Sequence, residues 1–440
     1  MNTVAIDTVW VVLCGCLVLL MQSGFAALEM GLSRMKNAGA VAAKIIVNFA
    51  LAIAIFWAVG YALAFGDGNG IVGASGWFVD LGNAHGVASL AYSGVDEPTK
   101  FFFEAMFAAV ALAIVWGTML DRARFVAYLP FAILFIGLIY PIVTHWVWGG
   151  GWLSSHGFQD FAGSGVVHVC GAFAGIAGAI VLGARIGKFR DGKPVPLPGH
   201  SMPLAILGVL ILWVGWMGFN AGSFLGAVGK PIGQVIVVTN LSGAFGVLGA
   251  VVVSRWLLGT FDIGMMGNGA IAGLGAIAGP CAFVEPWAGA VIGLVAGCMM
   301  VPMVLLVDRR GIDDPIGVFA GHGMGGIVGV ISAGFFATSD AADRLGGRPG
   351  LFYGGGFAQL GWQVVGLVAI AAFSFVTAWL AFTAIAATVG LRASEEHEMA
   401  GLDISEHGMF GYPERFIEVV GAESEEAHQP ITPIAAAPGA

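Results

Sequence analysis

Apolar runs of twenty or more residues succeed one another along the chain, separated by short stretches of charge, Gly/Pro clusters and Asn/Asp turns. A helix needs about 20 consecutive apolar residues to cross a hydrocarbon core of about 30 Å. Runs of that length predict membrane-spanning helices at about 8–33, 40–65, 99–119, 125–147, 161–186, 202–222, 233–257, 265–284, 287–307, 315–335 and 357–390, eleven in all. An odd number leaves the two ends of the array on opposite faces. The eighth and ninth runs are divided only by the turn Phe283-Val284-Glu285-Pro286.

Composition adds to that picture. The 440 residues are 58% hydrophobic and only 10% charged, whereas soluble domains carry about 25% charged residues. A sizeable soluble domain has no room in this pattern. Most of the 70 glycines lie inside the apolar runs, which suits helices packed closely through small residues. Cys14, Cys16, Cys170, Cys281 and Cys298 fall in or beside apolar runs at spacings unlike a metal site or a disulfide framework, and read as small packing residues. The segment MNTVAIDTVW has no basic n-region and leads straight into an apolar run, so the first span is expected to be retained.

Charge gives the orientation. With the N-terminus outside, fourteen of the eighteen basic residues fall on the cytoplasmic side, and only Lys100, Lys230, Arg344 and Arg348 on the other. The positive-inside bias therefore predicts N-out and C-in. Residues 391–440 hold ten acids against two arginines and supply −8 of the net −9. The expected organisation is a transmembrane domain over 1–390, with repeats at about 8–186 and 202–335 and an eleventh helix at about 357–390, followed by an acidic cytoplasmic tail over 391–440. The closing PITPIAAAPGA has the composition of a disordered end.

An internal repeat supplies the first candidate chemistry. Asp160-Phe-Ala-Gly-Ser-Gly-Val-Val-His168 aligns with Asp314-Pro-Ile-Gly-Val-Phe-Ala-Gly-His322 without a gap, Asp over Asp and His over His. Gly163, Gly171 and Gly175 coincide with Gly317, Gly325 and Gly329, the last two pairs making a GxxxG in each copy. These are the fifth and tenth spans, which run in opposite directions, so the pattern is that of two inverted five-helix halves with a site between them near the midplane. Each His follows its Asp by eight residues, about 12 Å along a helix. In a core of about 30 Å the two imidazoles would lie only about 6 Å apart in depth. A lone intramembrane His is as readily an interhelical hydrogen-bonding residue; two at related positions point to a pathway. His85, His145, His156, His200, His397, His407 and His428 fall at span ends or in connecting segments and read as surface or interfacial.

Several strings resemble the ammonium transporter family, the Amt/Mep/Rh group. They are His145-Trp-Val-Trp148-Gly-Gly-Gly, the Asp160 to His168 run, Gly215-Trp216-Met-Gly-Phe219-Asn220-Ala-Gly-Ser223, Asn268-Gly-Ala-Ile-Ala-Gly273, and Asp313-Asp314-Pro315 leading to His322-Gly323. Gly401-Leu402-Asp403 with Glu406-His407-Gly408 adds the tail, so the likeness covers about residues 5–412. The resemblance implies an all-α polytopic protein of eleven helices, two inverted five-helix repeats plus a final long helix, assembled as a homotrimer with a narrow hydrophobic pore in each subunit. It implies an outer recruitment site at Trp148, Phe107 and Ser223, an aromatic gate of Phe107 and Phe219, paired pore imidazoles at His168 and His322, and structural or proton-handling roles for Asp160 and Asp314. It further implies the cell's inner (plasma) membrane as location and a PII-type regulatory protein as a possible partner at the cytoplasmic face. No cofactor, metal or nucleic acid is expected. Glu104 stands where many members have Gln, and Gly317 where some have Asp.

Those residue types suit the chemistry. An indole face attracts a small cation by about 0.5–2 kcal/mol, and the Ser223 hydroxyl offers an acceptor to an N–H donor. Trp148 also fits an interfacial belt tryptophan, Ser223 a helix end, and Phe107 and Phe219 ordinary packing among 31 phenylalanines. A charge crossing the core costs at least several kcal/mol, and the sequence places no acid at the midplane of the pathway. Deprotonation before transit answers that cost: ammonia passes along the imidazoles while they handle the proton. The alternative is an ammonium sensor signalling through the tail. A channel with Asn-Pro-Ala pairs or an enzyme built on G-x-S-x-G or H-E-x-x-H finds no matching motif in the chain.

Overall fold

A computed structural model describes residues 3–79 and 87–413. The expectations for His85 and His428, and for the acidic segment from 414 onward with its closing PITPIAAAPGA, lie outside those residues. Eleven apolar helices form the body: α1 (Thr3–Leu32), α2 (Met35–Phe65), α3 (Glu97–Gly117), α4 (Phe125–Ser155), α5 (Ser164–Leu182), α6 (Met202–Gly222), α7 (Ile232–Leu258), α8 (Ile263–Ala278), α9 (Pro286–Arg309), α10 (Phe319–Phe336) and α11 (Gly356–Thr388). All but α8 are long and apolar enough to cross a membrane by length and composition. α8 stops at Ala278 because Gly279-Pro280 follows, and the residue before a proline is pushed out of the helical region. Two short tail helices follow, α12 (Glu395–Ala400) and α13 (Leu402–His407).

Local signals set the helix starts. Asp96 accepts from the Thr99 N–H at 3.2 Å ahead of α3, Ser201 from Leu204 N–H at 3.4 Å ahead of α6, and Asp262 from Met265 N–H at 2.9 Å ahead of α8. Such caps satisfy donors that a helix leaves free at its first turn. Four helices carry a π-helical turn, at Phe56–Gly60, Phe135–Ile139, Ser164–Val169 and Phe319–Gly323. The last two are the segments that hold His168 and His322. Helical wide turns of this kind recur at functional sites.

Glycine brings the halves together in matching ways. A Cβ on Gly171 or Gly175 of α5 would lie 2.9 Å from the carbonyls of Ala111 and Val115 on α3. A Cβ on Gly325 or Gly329 of α10 would lie 2.7 and 2.3 Å from those of Ala272 and Ala276 on α8. Both GxxxG pairs therefore press the last helix of a half onto its third, the relation that an inverted repeat requires. α1 packs most extensively along α6, α7 along α9, and α5 along α11.

The face opposite the N-terminal end of α1 is tied by charge. Arg185 holds Asp313 through Nε–Oδ2 at 2.8 Å and Nη2–Oδ1 at 2.9 Å, and reaches Asp121 at 3.1 Å; Arg34 adds a contact to Asp121 at 3.2 Å. Burial pushes Asp313 up, but Arg122 and Arg185 beside it outweigh that and hold its carboxyl at about 2. The tail helices close over this network. Glu398 accepts from Ile186 N–H at 2.7 Å and pairs with Arg392 at 2.7 Å, while the Lys36 ammonium donates to the carbonyls of Glu398 and Met399.

Candidate functional site

Asp160 and Asp314 are used in the same way. Asp160 Oδ1 accepts from Gly163 N–H at 3.0 Å, and its Oδ2 from Gly165 and Val166 at 2.8 and 2.9 Å. Asp314 accepts from Val318 and Phe319 at 3.0 and 2.7 Å. Between each acid and its helix the chain turns through a glycine in the left-handed region, Gly163 at φ 108° and Gly317 at φ 72°. That conformation costs a side chain dearly, which accounts for the glycine shared by both copies. The carboxylates thus fix where α5 and α10 begin, and with them the depth of each histidine.

The two imidazoles meet in the interior. His168 Nδ1 lies 3.2 Å from His322 Nδ1, with ring centroids 5.2 Å apart and planes inclined by 23°. One Nδ1 must donate and the other accept, so each ring keeps an Nε2 for something else. Both rings are buried, and the Nε2 of His168 has no hydrogen-bond partner among the described residues. Trp216 lies 5.3 Å from the His168 ring, and Phe25 6.0 Å from that of His322.

A vestibule of about 520 Å³ opens on the face that carries the N-terminal end of α1. Trp148, Phe107, Ser223, Glu104 and Asp160 line it, and Lys230 and Arg344 also border it. Trp148 caps the end of the long α4 segment before the glycine turn, and its indole N–H donates to the Asp160 carbonyl at 2.7 Å. Ser223 caps α6 and donates its hydroxyl to the Phe219 carbonyl at 2.8 Å, leaving the oxygen lone pairs as acceptors. The Phe107 ring is the vestibule's inner wall and stacks on Phe219 at 4.0 Å and 21°. Phe219 in turn stacks on His168 at 5.7 Å and 25°. Vestibule, phenyl pair and imidazole pair therefore follow one another in a line.

A chamber of about 10 Å³ lies on the other side of His322, bordered by Phe25, Glu29, Gly117, Asn268 and Val318. One residue of this chamber was not singled out in the sequence: Glu29 is buried in α1, three residues before its end, and its carboxylate is paired with the buried Lys44 of α2. The two residues lie fifteen apart on different helices, a relation that no local pattern reveals. His145 corrects the sequence reading. It is buried rather than interfacial, its ring nitrogens 3.0 and 2.7 Å from the carbonyls of Ala64 and Asn69, where it holds the end of α2 and the loop that follows. The cysteines divide: Cys14, Cys170 and Cys281 are buried packing residues, but Cys16 is exposed and Cys298 half-buried.

A bundle of antiparallel apolar helices, with a wide vestibule closed by stacked rings and a buried polar pair behind them, is the build of a polytopic membrane transporter. Comparison with known proteins gives the kind. The chain belongs to the ammonium transporter family, whose model matches residues 9–412. It is 41% identical over 424 residues to ammonium transporter Amt2 of Archaeoglobus fulgidus, covering 93% of this chain and 88% of that protein. It is 37% identical over 412 residues to an ammonium transporter of Bacillus subtilis, covering 92% and 98%. Among solved structures, a sensor Amt protein superposes with a TM-score of 0.85 at 32% identity, covering 92% of this chain and 99% of that one. Mep2 of Candida albicans superposes at 0.82 with 30% identity, covering 89% and 87%.

Proposed function

We infer that this protein carries ammonium across a membrane by recruiting the cation at the vestibule and passing ammonia behind the phenyl pair. The observation that carries the reading is the line of Trp148, Phe107, Phe219, His168 and His322, buried from Phe107 onward. A cation gains at an indole face and loses its hydration in a passage sealed by two phenyl rings, where a full charge costs at least several kcal/mol. The neutral molecule avoids that cost. The imidazoles, each with one nitrogen that donates and one that accepts, offer hydrogen bonds to ammonia and a route for the proton it leaves behind. Asp160 and Asp314 set the depth of the two rings.

The excess of basic residues on the tail side supports an orientation with the vestibule outside and the tail in the cytoplasm, the protein sitting in the cell's inner (plasma) membrane. Three copies form a homotrimer, and the tail face docks a PII-type regulatory protein. The test is to replace His168 and His322 with Ala, singly and together, in reconstituted vesicles. Ammonium currents should fall and the ratio of ammonium to methylammonium current should change; parental current and selectivity in the double variant would end this reading.

One observation favours a second reading, sensing through the tail. The sensor Amt protein is similar over nearly its whole length, and α13 is bonded to the start of α2 while α12 is bonded to the segment that follows α5. A parent protein that passes no ammonium-evoked current, yet whose tail becomes protease-sensitive on adding ammonium, would support it. A measurable current removes sensing without transport.

A further inference from the structure

Glu29 is a buried carboxylate with one oxygen in use. Its Oε2 is held by Lys44, both side chains 1% exposed. Its Oε1 is buried and has no hydrogen-bond partner among the described residues. That oxygen borders the small chamber on the far side of His322, about 3.7 Å from where a Cβ on Gly117 would stand. The chamber volume of about 10 Å³ is at the lower limit for a single water-sized molecule. Its other polar groups are the His322 ring and Asn268, the latter's amide nitrogen already committed to the Ile316 carbonyl at 2.8 Å. Phe25, Leu28, Ile114 and Val318 are among the apolar residues of the wall.

An unmatched acceptor in an apolar wall is costly unless something donates to it. A buried ion pair is also weak as a stabilising device, since apolar side chains of the same volume often serve as well. Lys44 compensates the charge of Glu29 but leaves Oε1 free, so the pair keeps a carboxylate oxygen facing the chamber without an isolated charge in the membrane. A species with several N–H donors and the size of one water fits such a site. Potassium of similar size brings no donor, and a methylated amine brings extra volume that the chamber lacks.

We propose that Glu29, held by Lys44, is the exit-side recognition residue of the pathway: its Oε1 accepts an N–H from the ammonia or ammonium that leaves His322. The inference rests on the pathway described above and adds to it a second selective point, beyond the imidazoles. Glu29 acts by hydrogen bonding alone here. No bond of the substrate changes at this step.

The test compares the parent with E29Q/K44M, which keeps the volume of the pair and removes both charges. Maximal ammonium current in reconstituted vesicles should fall at least fivefold, while the half-saturating concentration, set at the vestibule, stays within twofold. E29D, whose oxygens are one methylene shorter in reach, should lie between the two. G117A gives a second measurement that keeps both charges: its methyl pushes on the Val318 and Ile316 side chains of the chamber wall and stands 3.7 Å from Glu29 Oε1, so it should lower maximal current in the same way. Parental maximal current in folded E29Q/K44M, or in G117A if the double variant does not fold, overturns the proposal. So does a fall accompanied by a shift in half-saturation of more than fivefold. H168A/H322A, measured alongside, separates the two readings: if it alone departs from the parent, only the role of Glu29 falls, whereas parental behaviour in it removes the pathway itself.

Discussion

The rings of Phe219 and His168 stack at 5.7 Å and 25°, while Phe107 touches the pair only through Phe219, 4.0 Å from its ring. The two phenylalanines are therefore not equivalent. Removing Phe107 widens the inner end of the vestibule and leaves the imidazoles seated. Removing Phe219 opens the gate and also takes away a face against which His168 rests. We expect F219A to lower maximal ammonium current at least tenfold and F107A less than threefold, in vesicles matched for protein content. Equal losses would show that the rings act only as a plug.

Trp148 owes its position to one bond, from its indole N–H to the Asp160 carbonyl at 2.7 Å. The ring stands edge-on to Phe107 at 6.0 Å and 79°, so an aromatic surface remains at the vestibule. A cation–π contribution of about 0.5–2 kcal/mol corresponds to a change of roughly two- to thirtyfold in binding. W148L should therefore raise the half-saturating ammonium concentration several-fold with little change in maximal current. The reverse pattern, a lower maximum at unchanged half-saturation, would move Trp148 from recruitment to conduction.

Asp160 accepts three backbone N–H groups and is 5% exposed, whereas Asp314 accepts two and is half-buried. An unsatisfied buried donor costs about 1–3 kcal/mol. D160A should accordingly destabilise the protein by about 3 kcal/mol or more, and D314A by less. Thermal unfolding in detergent measures both. The same order also separates a capping role from a proton-carrying one, since a residue that only carries protons would change current without changing the melting temperature.

The order of the helices was legible because hydrophobic length acts locally and additively along the chain. The His168 and His322 pair was legible for a different reason: the motif occurs twice, and antiparallel spans fix relative depth by simple helix rise. What stayed hidden depends on neighbours from distant segments. The π-helical turns at Ser164–Val169 and Phe319–Gly323 leave no mark in periodicity, although the Asp and Gly that start them are visible in both copies. Glu29 lies inside one apolar run and Lys44 inside the next, and nothing in either run shows the pairing until the two helices are laid together. His145 was misread because two backbone carbonyls from a preceding segment, not its own surroundings in sequence, bury it.

Acid should act on the tail face before the bundle. Asp313 is 1% exposed and its carboxyl is held at about 2, against roughly 3.9 for an unfolded Asp. A depressed folded value contributes stability that is present above about 4 and is lost as pH falls toward about 2. The difference amounts to roughly 2–3 kcal/mol. The melting temperature of the parent should therefore drop between pH 5 and pH 3 by more than that of D313N, which has already lost the ionised partner of Arg185. Parallel pH profiles in the two proteins would remove Asp313 from this role.

One carboxylate of the tail is bound at the start of α2. Asp403 accepts from Gly39 and Ala40 N–H at 3.0 and 2.7 Å, and from Gly411 N–H at 2.9 Å, so one side chain from α13 both caps a membrane helix and folds back its own segment. A Cβ on Gly39 would lie 3.1 Å from that carboxylate, so a larger residue there would have to push it aside. Negative charge at a helix N-terminus adds about 0.3–1 kcal/mol to the hydrogen bonds themselves, and capping bonds contribute about 0.5–2 kcal/mol. D403A should thus free the tail at moderate cost to the bundle, with early cleavage within 401–413 under limited proteolysis and a loss of about 1–2 kcal/mol in thermal stability. D403N keeps one acceptor and loses the charge, so its tail should be cleaved at an intermediate rate. If D403A resists protease as the parent does, the bonds of Glu398 and Lys36 hold the segment by themselves, and the carboxylate serves only α2.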